Sequence, residues 1–330
     1  MIAMNKLPSV IFMGTPDFAR VSLKRLAEDG FPIKAVVTQP DRPQGRRNLL
    51  IPSPVKALAL ELGLPVFQPG RLPDILAELK ALAPDFIAVV AFGQILDRQT
   101  LDLPCAACAS GAHRACVNVH ASLLPKYRGA SPIQSALWNG DRVTGVTTML
   151  MERGLDTGPV LLREETPVSD DDTFETLHDR LAVSGAGLLA RTLRTFDAIT
   201  PRPQDHAQAS FTEKFTRKHG EIDWNLPAED IHNRARACTP WPAAYTAHNG
   251  NRLIVWRTRP VDCGAHGAAP GTVLEIRPGQ GIVTAAATGC VAISELQRQG
   301  KKRLPFDAFL NGYPLAPGDR FDPHSSNKNP

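Results

Sequence analysis

The chain has 330 residues, 43% of them hydrophobic, and a formal net charge of +4. That length exceeds what one ordinary core organises, so two domains are expected. No apolar run reaches bilayer-spanning length and Met1–Ser9 lacks a secretory h-region, so a cytoplasmic protein with no membrane association is expected.

The charge is unevenly placed. Residues 1–205 carry 22 basic and 22 acidic side chains, so the whole excess lies in residues 206–330, the direction a nucleic-acid partner requires. The six cysteines (Cys105, Cys108, Cys116, Cys238, Cys263 and Cys290) are few for this length, and a cytosolic setting would keep them reduced.

In chain order, Val10 to Met13 reads as a buried strand, Asp17 to Glu28 as a helix and Ala35 to Thr38 as a second strand. Pro54 to Leu62 and Pro73 to Leu82 carry apolar residues at helical spacing. Phe86 to Ala91 is a continuous apolar run of the kind buried on both faces. Cys116 to Val119, Val146 to Met151 and Val160 to Leu162 supply further strands, with Ser131 to Trp138 and Phe174 to Phe196 as helices. This alternation predicts an α/β fold, a doubly wound, mostly parallel Rossmann-like sheet whose sites lie beyond the carboxyl ends of the strands.

Ile199 to Ala209 is rich in Pro, Gln and Asp and lacks an apolar period, so the domain linker is placed there, between a domain of residues 1–198 and one of residues 210–330. Beyond it, short runs (Arg252 to Trp256, Gly271 to Ile276, Gly281 to Ala285, Cys290 to Leu296) separated by Gly and Pro predict a small antiparallel barrel. Gly14-Thr15-Pro16 ends the first strand but is not Gly-x-Gly-x-x-Gly, so no dinucleotide cofactor is expected.

The chemistry is concentrated in Asn118-Val119-His120 and in Asp156, within Gly154-Leu155-Asp156-Thr157-Gly158. Residues two apart on a strand share a face, so Asn118 and His120 can address one atom, and Asp156 sits in a Gly-flanked loop after a strand. An amide donor, an imidazole and an acid suit acyl transfer to an amine, which needs donors for an oxyanion and a route for a proton. Ser122 stands in no nucleophile elbow, so direct attack by the acceptor amine is the simpler chemistry. Taken singly, the three residues also fit turn, cap and strand-end roles.

The run from Asn118 through Ser122-Leu-Leu-Pro-Lys-Tyr-Arg-Gly-Ala-Ser-Pro-Ile-Gln134, continued by Gly154 to Gly158, resembles the formyltransferases that use 10-formyltetrahydrofolate. Flanking segments narrow the resemblance to the methionyl-tRNA formyltransferase family: Phe12 to Phe18, Gln39 to Arg46, Pro52 to Lys56, Ile222-Asp-Trp224, Thr239 to Pro242, Ala269 to Thr272 and Gly300 to Lys302. The resemblance implies an N-terminal catalytic domain and an OB-fold-like second domain that binds tRNA. It implies that the formyl group of 10-formyltetrahydrofolate passes to methionyl initiator tRNA for translation initiation, with Asn118, His120 and Asp156 catalytic. No metal and no obligate protein partner are expected.

The same resemblance assigns the folate pocket to Phe92, Gly93, Gln94 and Ile95 and to Ser122, Leu123, Leu124 and Pro125, with ordinary packing beneath a turn as the plainer role for the last three. For tRNA it points to Arg42, Arg46 and Arg47 on an irregular loop, since guanidinium groups grip phosphates and stack on unpaired bases. Lys301, Lys302 and Arg303 are a second candidate set. Asn48 and Leu49 stand where many relatives carry lysines. The segment Pro104 to Ala115 is longer than the usual connection; Cys105, Cys108, His113 and Cys116 are zinc-ligand types, but Cys116 reads as a strand-core residue. Rival functions are formyl transfer to an amino sugar or small nucleotide amine, hydrolytic release of formate, and a catalytically silent RNA-binding protein.

Overall fold

The computed structural model describes residues 7–44, 49–106 and 115–322, which divide into two compact units. The first unit comprises the chain up to Gly129, Val143–Pro167 and His178–Thr212; the second takes Ala130–Arg142, Val168–Leu177 and Glu213 onward.

The first unit opens with β1 (Val10–Gly14), α1 (Asp17–Glu28) and β2 (Ile33–Val37), followed by a short hairpin of β3 (Arg42–Gln44) and β4 (Leu49–Ile51), then α2 (Pro54–Glu61) and β5 (Val66–Phe67). Next come α3 (Leu76–Ala81), β6 (Phe86–Val90), the short helices α4 (Arg98–Leu101) and α5 (Leu103–Ala106), β7 (Ala115–His120) and β8 (Arg128–Gly129). After α6 (Pro132–Trp138), which belongs to the second unit, the chain returns through β9 (Val143–Leu150) and β10 (Val160–Pro167), runs along α7 (Phe174–Arg194), and reaches β11 (Phe211–Thr212).

Seven of these strands form one sheet in the order β10-β9-β7-β6-β1-β2-β5. From β7 to β5 all pairings are parallel, while β9 and β10 are antiparallel at the edge. Every residue of β1 and β6 is buried, as strands covered on both faces must be, and this is why they are written as unbroken apolar runs. α1 buries Phe18, Ala19, Leu23 and Leu26 at helical spacing and carries Asp17 in its first turn and Arg25 in its last, each favourable to the helix dipole. Gly14 lets α1 pack this closely: a Cβ there would stand 2.7 Å from the Ala19 Cβ and 3.0 Å from the Val90 carbonyl oxygen. Its lack of a side chain is thus explained by packing.

The second unit contains α8 (Ala228–Ala237) and β12 (Ala244–His248), β13 (Asn251–Val261), β14 (Val273–Arg277), β15 (Gly281–Ala285), β16 (Cys290–Arg298) and β17 (Leu304–Pro305), closed by α9 (Phe306–Gly312). Its sheet is antiparallel in the order β12-β13-β16-β15-β14, with β17 on β16. The path ends at β12 and β14. The chain near its C-terminus bridges both ends, pairing Asp322 with Ala247 and Arg320 with Thr272. The core is built on Trp224, Ile231, Leu253, Val255, Ile282, Ile293, Phe309 and Phe321.

The structure differs from expectation in the arginine loop and in the linker. Residues 41–47, read as an irregular loop, include β3, which pairs with β4. The stretch read as a linker is bonded into the first unit: Arg202 pairs with Val160, and β11 pairs in parallel with β8. The actual division is interleaved because long-range backbone pairing captures a Pro-rich stretch that has no apolar period of its own.

Candidate active site

β7 carries Asn118 and His120 to the carboxyl edge of the sheet, between β6 and β9, with Asn118 opposite Val89 and Met149 and His120 opposite Thr147. Both side chains are buried and share one face of the strand. The His120 Nε2 lies 2.8 Å from the Tyr127 carbonyl oxygen and, as the only possible donor of the two, carries the hydrogen. Its Nδ1 faces the Asp156 Oδ2 at 3.7 Å, too far for a hydrogen bond and close enough for an ion pair. The Asn118 amide has no hydrogen-bond partner among the described residues, which leaves its donors for a ligand.

Asp156 adopts a left-handed backbone (φ 51°), a region Asp tolerates better than most residues. Its Oδ2 accepts from the Gly129 amide at 2.8 Å. Gly129 is irreplaceable on two counts: its φ is 108°, and a Cβ would lie 2.6 Å from the Thr212 carbonyl oxygen of the β8–β11 pair.

Behind this loop lies a brace that sequence reasoning missed. Arg128, 2% exposed, donates twice to Gln204 Oε1 at 3.2 and 2.7 Å. The Gln204 amide nitrogen in turn donates to the carbonyls of Asp156 and Gly158 at 2.8 and 2.7 Å. Arg128 stands inside the recognised motif, but Gln204 lies 76 residues on, in the stretch read as linker, and only the fold brings them together.

The residues expected to hold folate fall into two kinds. Phe92 and Leu124 are buried, Leu124 packing with Met149 and Val160, so they form floor. Ser122 is also buried, its hydroxyl donating to the Lys126 carbonyl at 2.6 Å. Ser122 and Leu124 thus have the packing roles of a turn. Leu123 and Pro125 are half-buried, Gly93 is exposed with φ 87°, Gln94 donates to the Pro69 carbonyl at 3.2 Å, and Ile95 is 91% exposed. A cavity of about 330 Å³ opens beside Phe92 and Gly93, walled also by Thr15, Gln39, Arg42 and Ile51. A larger one, about 570 Å³, lies at the amino ends of β1 and β6 near Ser9, Lys34 and Asp85 and holds none of the expected site residues.

Among the residues expected to contact tRNA, Arg42 is exposed on β3, on the hairpin that also exposes Leu49, Leu50 and Ile51. Arg46 and Arg47, with Asn48, lie outside the described residues. In the second unit Lys301, Lys302 and Arg303 are exposed; Arg303 pairs with Glu295 and lies over the Trp256 ring at 5.0 Å. Of the candidate zinc ligands, Cys108 and His113 lie outside the described residues, and Cys116 is buried on β7 with its thiol toward the Thr100 and Leu101 carbonyls. The expectation that all six cysteines are reduced fails at one pair: Cys263 and Cys290 form a disulfide. Strand pairing decides this, since Cys290 is opposite Val261, two residues from Cys263.

Residues 8–193 match the formyl transferase family and residues 214–314 the formyl transferase C-terminal domain. A methionyl-tRNA formyltransferase from Pelobacter propionicus is 48% identical over 314 residues, covering 94% of this chain and 95% of the relative. The chain belongs to the methionyl-tRNA formyltransferase family. A second relative of that name, from Moorella thermoacetica, is 47% identical across 94% of this chain and 98% of its own length. Among solved structures, an N-formyltransferase from Helicobacter canadensis in complex with folinic acid and dTDP-3-aminofucose shares the fold, with TM-score 0.63 and 17% identity over 88% of this chain and 99% of that one.

Proposed function

We propose that the chain transfers the formyl group of 10-formyltetrahydrofolate to the α-amino group of methionyl initiator tRNA, at a site made by Asn118, His120 and Asp156. The observation that carries this is the pairing of His120 Nδ1 with Asp156 Oδ2 at 3.7 Å, on the strand that also carries an Asn118 amide without a hydrogen-bond partner among the described residues, in a chain of this family.

The neutral amine attacks the formyl carbon and forms the new C–N bond. The carbonyl oxygen takes the charge, and Asn118 Nδ2–H and a protonated His120 are placed to stabilise it. Tyr127, through its carbonyl, fixes the imidazole plane. Asp156 is left to balance the imidazolium and to accept the amine proton, directly or through water. Collapse breaks the bond to folate N10, which leaves with a proton. Positioning both substrates contributes alongside these groups, effective molarities reaching about 10⁵–10⁸ M in well-oriented reactions.

The pterin is assigned to Phe92 to Ile95 and the turn from Ser122 to Pro125, where the apolar floor of Phe92 and Leu124 suits a flat heterocycle. Arg42 and its hairpin, and the Lys301–Arg303 turn, supply cations for the acceptor end of tRNA. The absence of a dinucleotide or metal requirement, and a cytoplasmic setting, belong to the same reading.

The test is to supply donor labelled in its formyl group together with charged initiator tRNA, a small amino sugar, and neither. Label recovered on the methionyl-tRNA supports the reading. Label moving faster to the small amine, or released as formate at the same rate without acceptor, overturns it.

A further inference from the structure

Cys263 and His266 stand three residues apart on the connection between β13 and β14, and Cys290 opens β16 directly opposite the end of β13. The two sulfurs and an imidazole nitrogen all lie within 4.8 Å of one another. The three ligand types, with the Cys-x-x-His spacing, are those a structural zinc centre draws on.

A second observation points to a ligand. The His266 Nδ1 is buried and has no hydrogen-bond partner among the described residues, a condition native folds seldom leave unfilled. On the buried side, Cys290 packs with Val283 and Ala292, with Val261 and Leu274 against them. The one acid nearby in sequence, Asp262, turns its Oδ1 to the Gly264 amide.

We propose that, when the Cys263–Cys290 disulfide is opened, these two thiolates and His266 bind one zinc-class divalent cation, with a fourth position left to water. Two thiolates neutralise a divalent charge, so the bound ion can sit among apolar side chains without an unpaired charge. The Cα atoms of the cysteines are 6.1 Å apart. That spacing accommodates two sulfurs flanking an ion at about 2.3 Å each, as well as a direct bond. The two occupancies exclude one another, because the same sulfur pair serves both. Opening the bond takes two electrons and two protons; with a trialkylphosphine and water the products are two thiols and the phosphine oxide. Metal binding then releases the thiol protons.

The full-length protein is reduced with a trialkylphosphine, stripped with a chelator, and titrated with Co²⁺ and then Zn²⁺ without air. Expected is one equivalent of metal more than in the Cys263→Ser/Cys290→Ser double variant, a sulfur-to-cobalt charge-transfer band that Zn²⁺ abolishes, and affinity at least about tenfold weaker in His266→Gln. The double variant keeps Cys105, Cys108, His113 and Cys116, so binding at that cluster appears equally in both proteins. Equal stoichiometry in wild type and double variant overturns the proposal, and so does His266→Gln binding as tightly as wild type. Should a variant fail to fold, wild type alone decides: Zn²⁺ must slow alkylation of Cys263 and Cys290, and equal alkylation of these two with and without metal rejects the site.

Discussion

Two buried histidines, one in each unit, sit in unlike surroundings. His232, on α8, has both ring nitrogens committed: Nδ1 meets the Thr258 hydroxyl at 3.0 Å and Nε2 the Asp170 carbonyl at 3.1 Å. Desolvation pushes its pKa below the ordinary histidine value, and the ring is a neutral strut. His120 has one nitrogen committed, to the Tyr127 carbonyl, and turns the other toward a carboxylate it does not reach. Burial is common to both. What separates them is the second nitrogen of His120, which among the described residues has no hydrogen-bond partner and faces an acid that the fold holds in place.

The comparison is broken most severely by removing the imidazole. His120→Ala should lower formyl transfer by about 10²–10⁴-fold, the range for a general acid–base group, with folate binding near wild type by fluorescence titration. His232→Gln should leave turnover within about twofold. Equal losses in the two variants would erase the distinction between them.

Next in size is the brace. Gln204→Ala removes an acceptor of a buried guanidinium, leaving it His206 Nδ1 at 3.2 Å, and the donor to the Asp156 and Gly158 carbonyls, so it should cost roughly 3 kcal/mol in urea unfolding. It should also lower kcat, because the loop it holds carries the acid. A loss of folate affinity with kcat intact would move the brace to the binding pocket.

The effect of His232 on stability has a definite sign. Its folded pKa is lowered, so the unfolded state binds the proton more readily. Its neutral form is therefore favourable above the unfolded value, near 6.5, and stability falls as pH drops from there toward the folded value. Wild type should lose stability between about pH 7 and pH 5 more steeply than His232→Gln, measured by chemical denaturation at each pH. Parallel curves would mean that the buried ring titrates alike in both states. A related contrast holds for Cys238: burial pushes its thiol up to about 12, so it should resist iodoacetamide at pH 8 in the native protein and react only after unfolding.

The smallest expected effect is at the exposed hairpin. Arg42→Ala should weaken the KM for charged tRNA and lower the slope of log affinity against log salt by about 1, leaving the folate KM unchanged. An unchanged salt slope would remove Arg42 from the contact.

Legibility in the sequence followed the range of the interactions. The apolar runs at Val10 and Phe86 were read correctly because burial on both faces imposes local composition, and they are β1 and β6. The motif at Asn118 was legible because neighbours two apart on a strand must share a face. The helix read over Pro73 to Leu82 is divided into a 3-10 turn at Leu72–Ile75 and α3, which apolar spacing does not distinguish. α8 and β12 were not foreseen, α8 because its buried face includes His232 and Arg236, polar residues that blur an apolar period. Pairings over long separations were also hidden: β8 with β11, Arg128 with Gln204, and Cys263 with Cys290. None leaves a periodic trace, since each is written in residues that acquire meaning only when the chain returns.

The most direct test of the central claim is a single-turnover assay of Asp156→Asn with labelled donor and charged initiator tRNA both saturating. The substitution keeps the side-chain size and an oxygen for the Gly129 amide while removing the charge that faces His120 Nδ1. The account predicts a loss of at least about 10²-fold in the transfer rate with the bound complex still formed. A rate within a few-fold of wild type would contradict it.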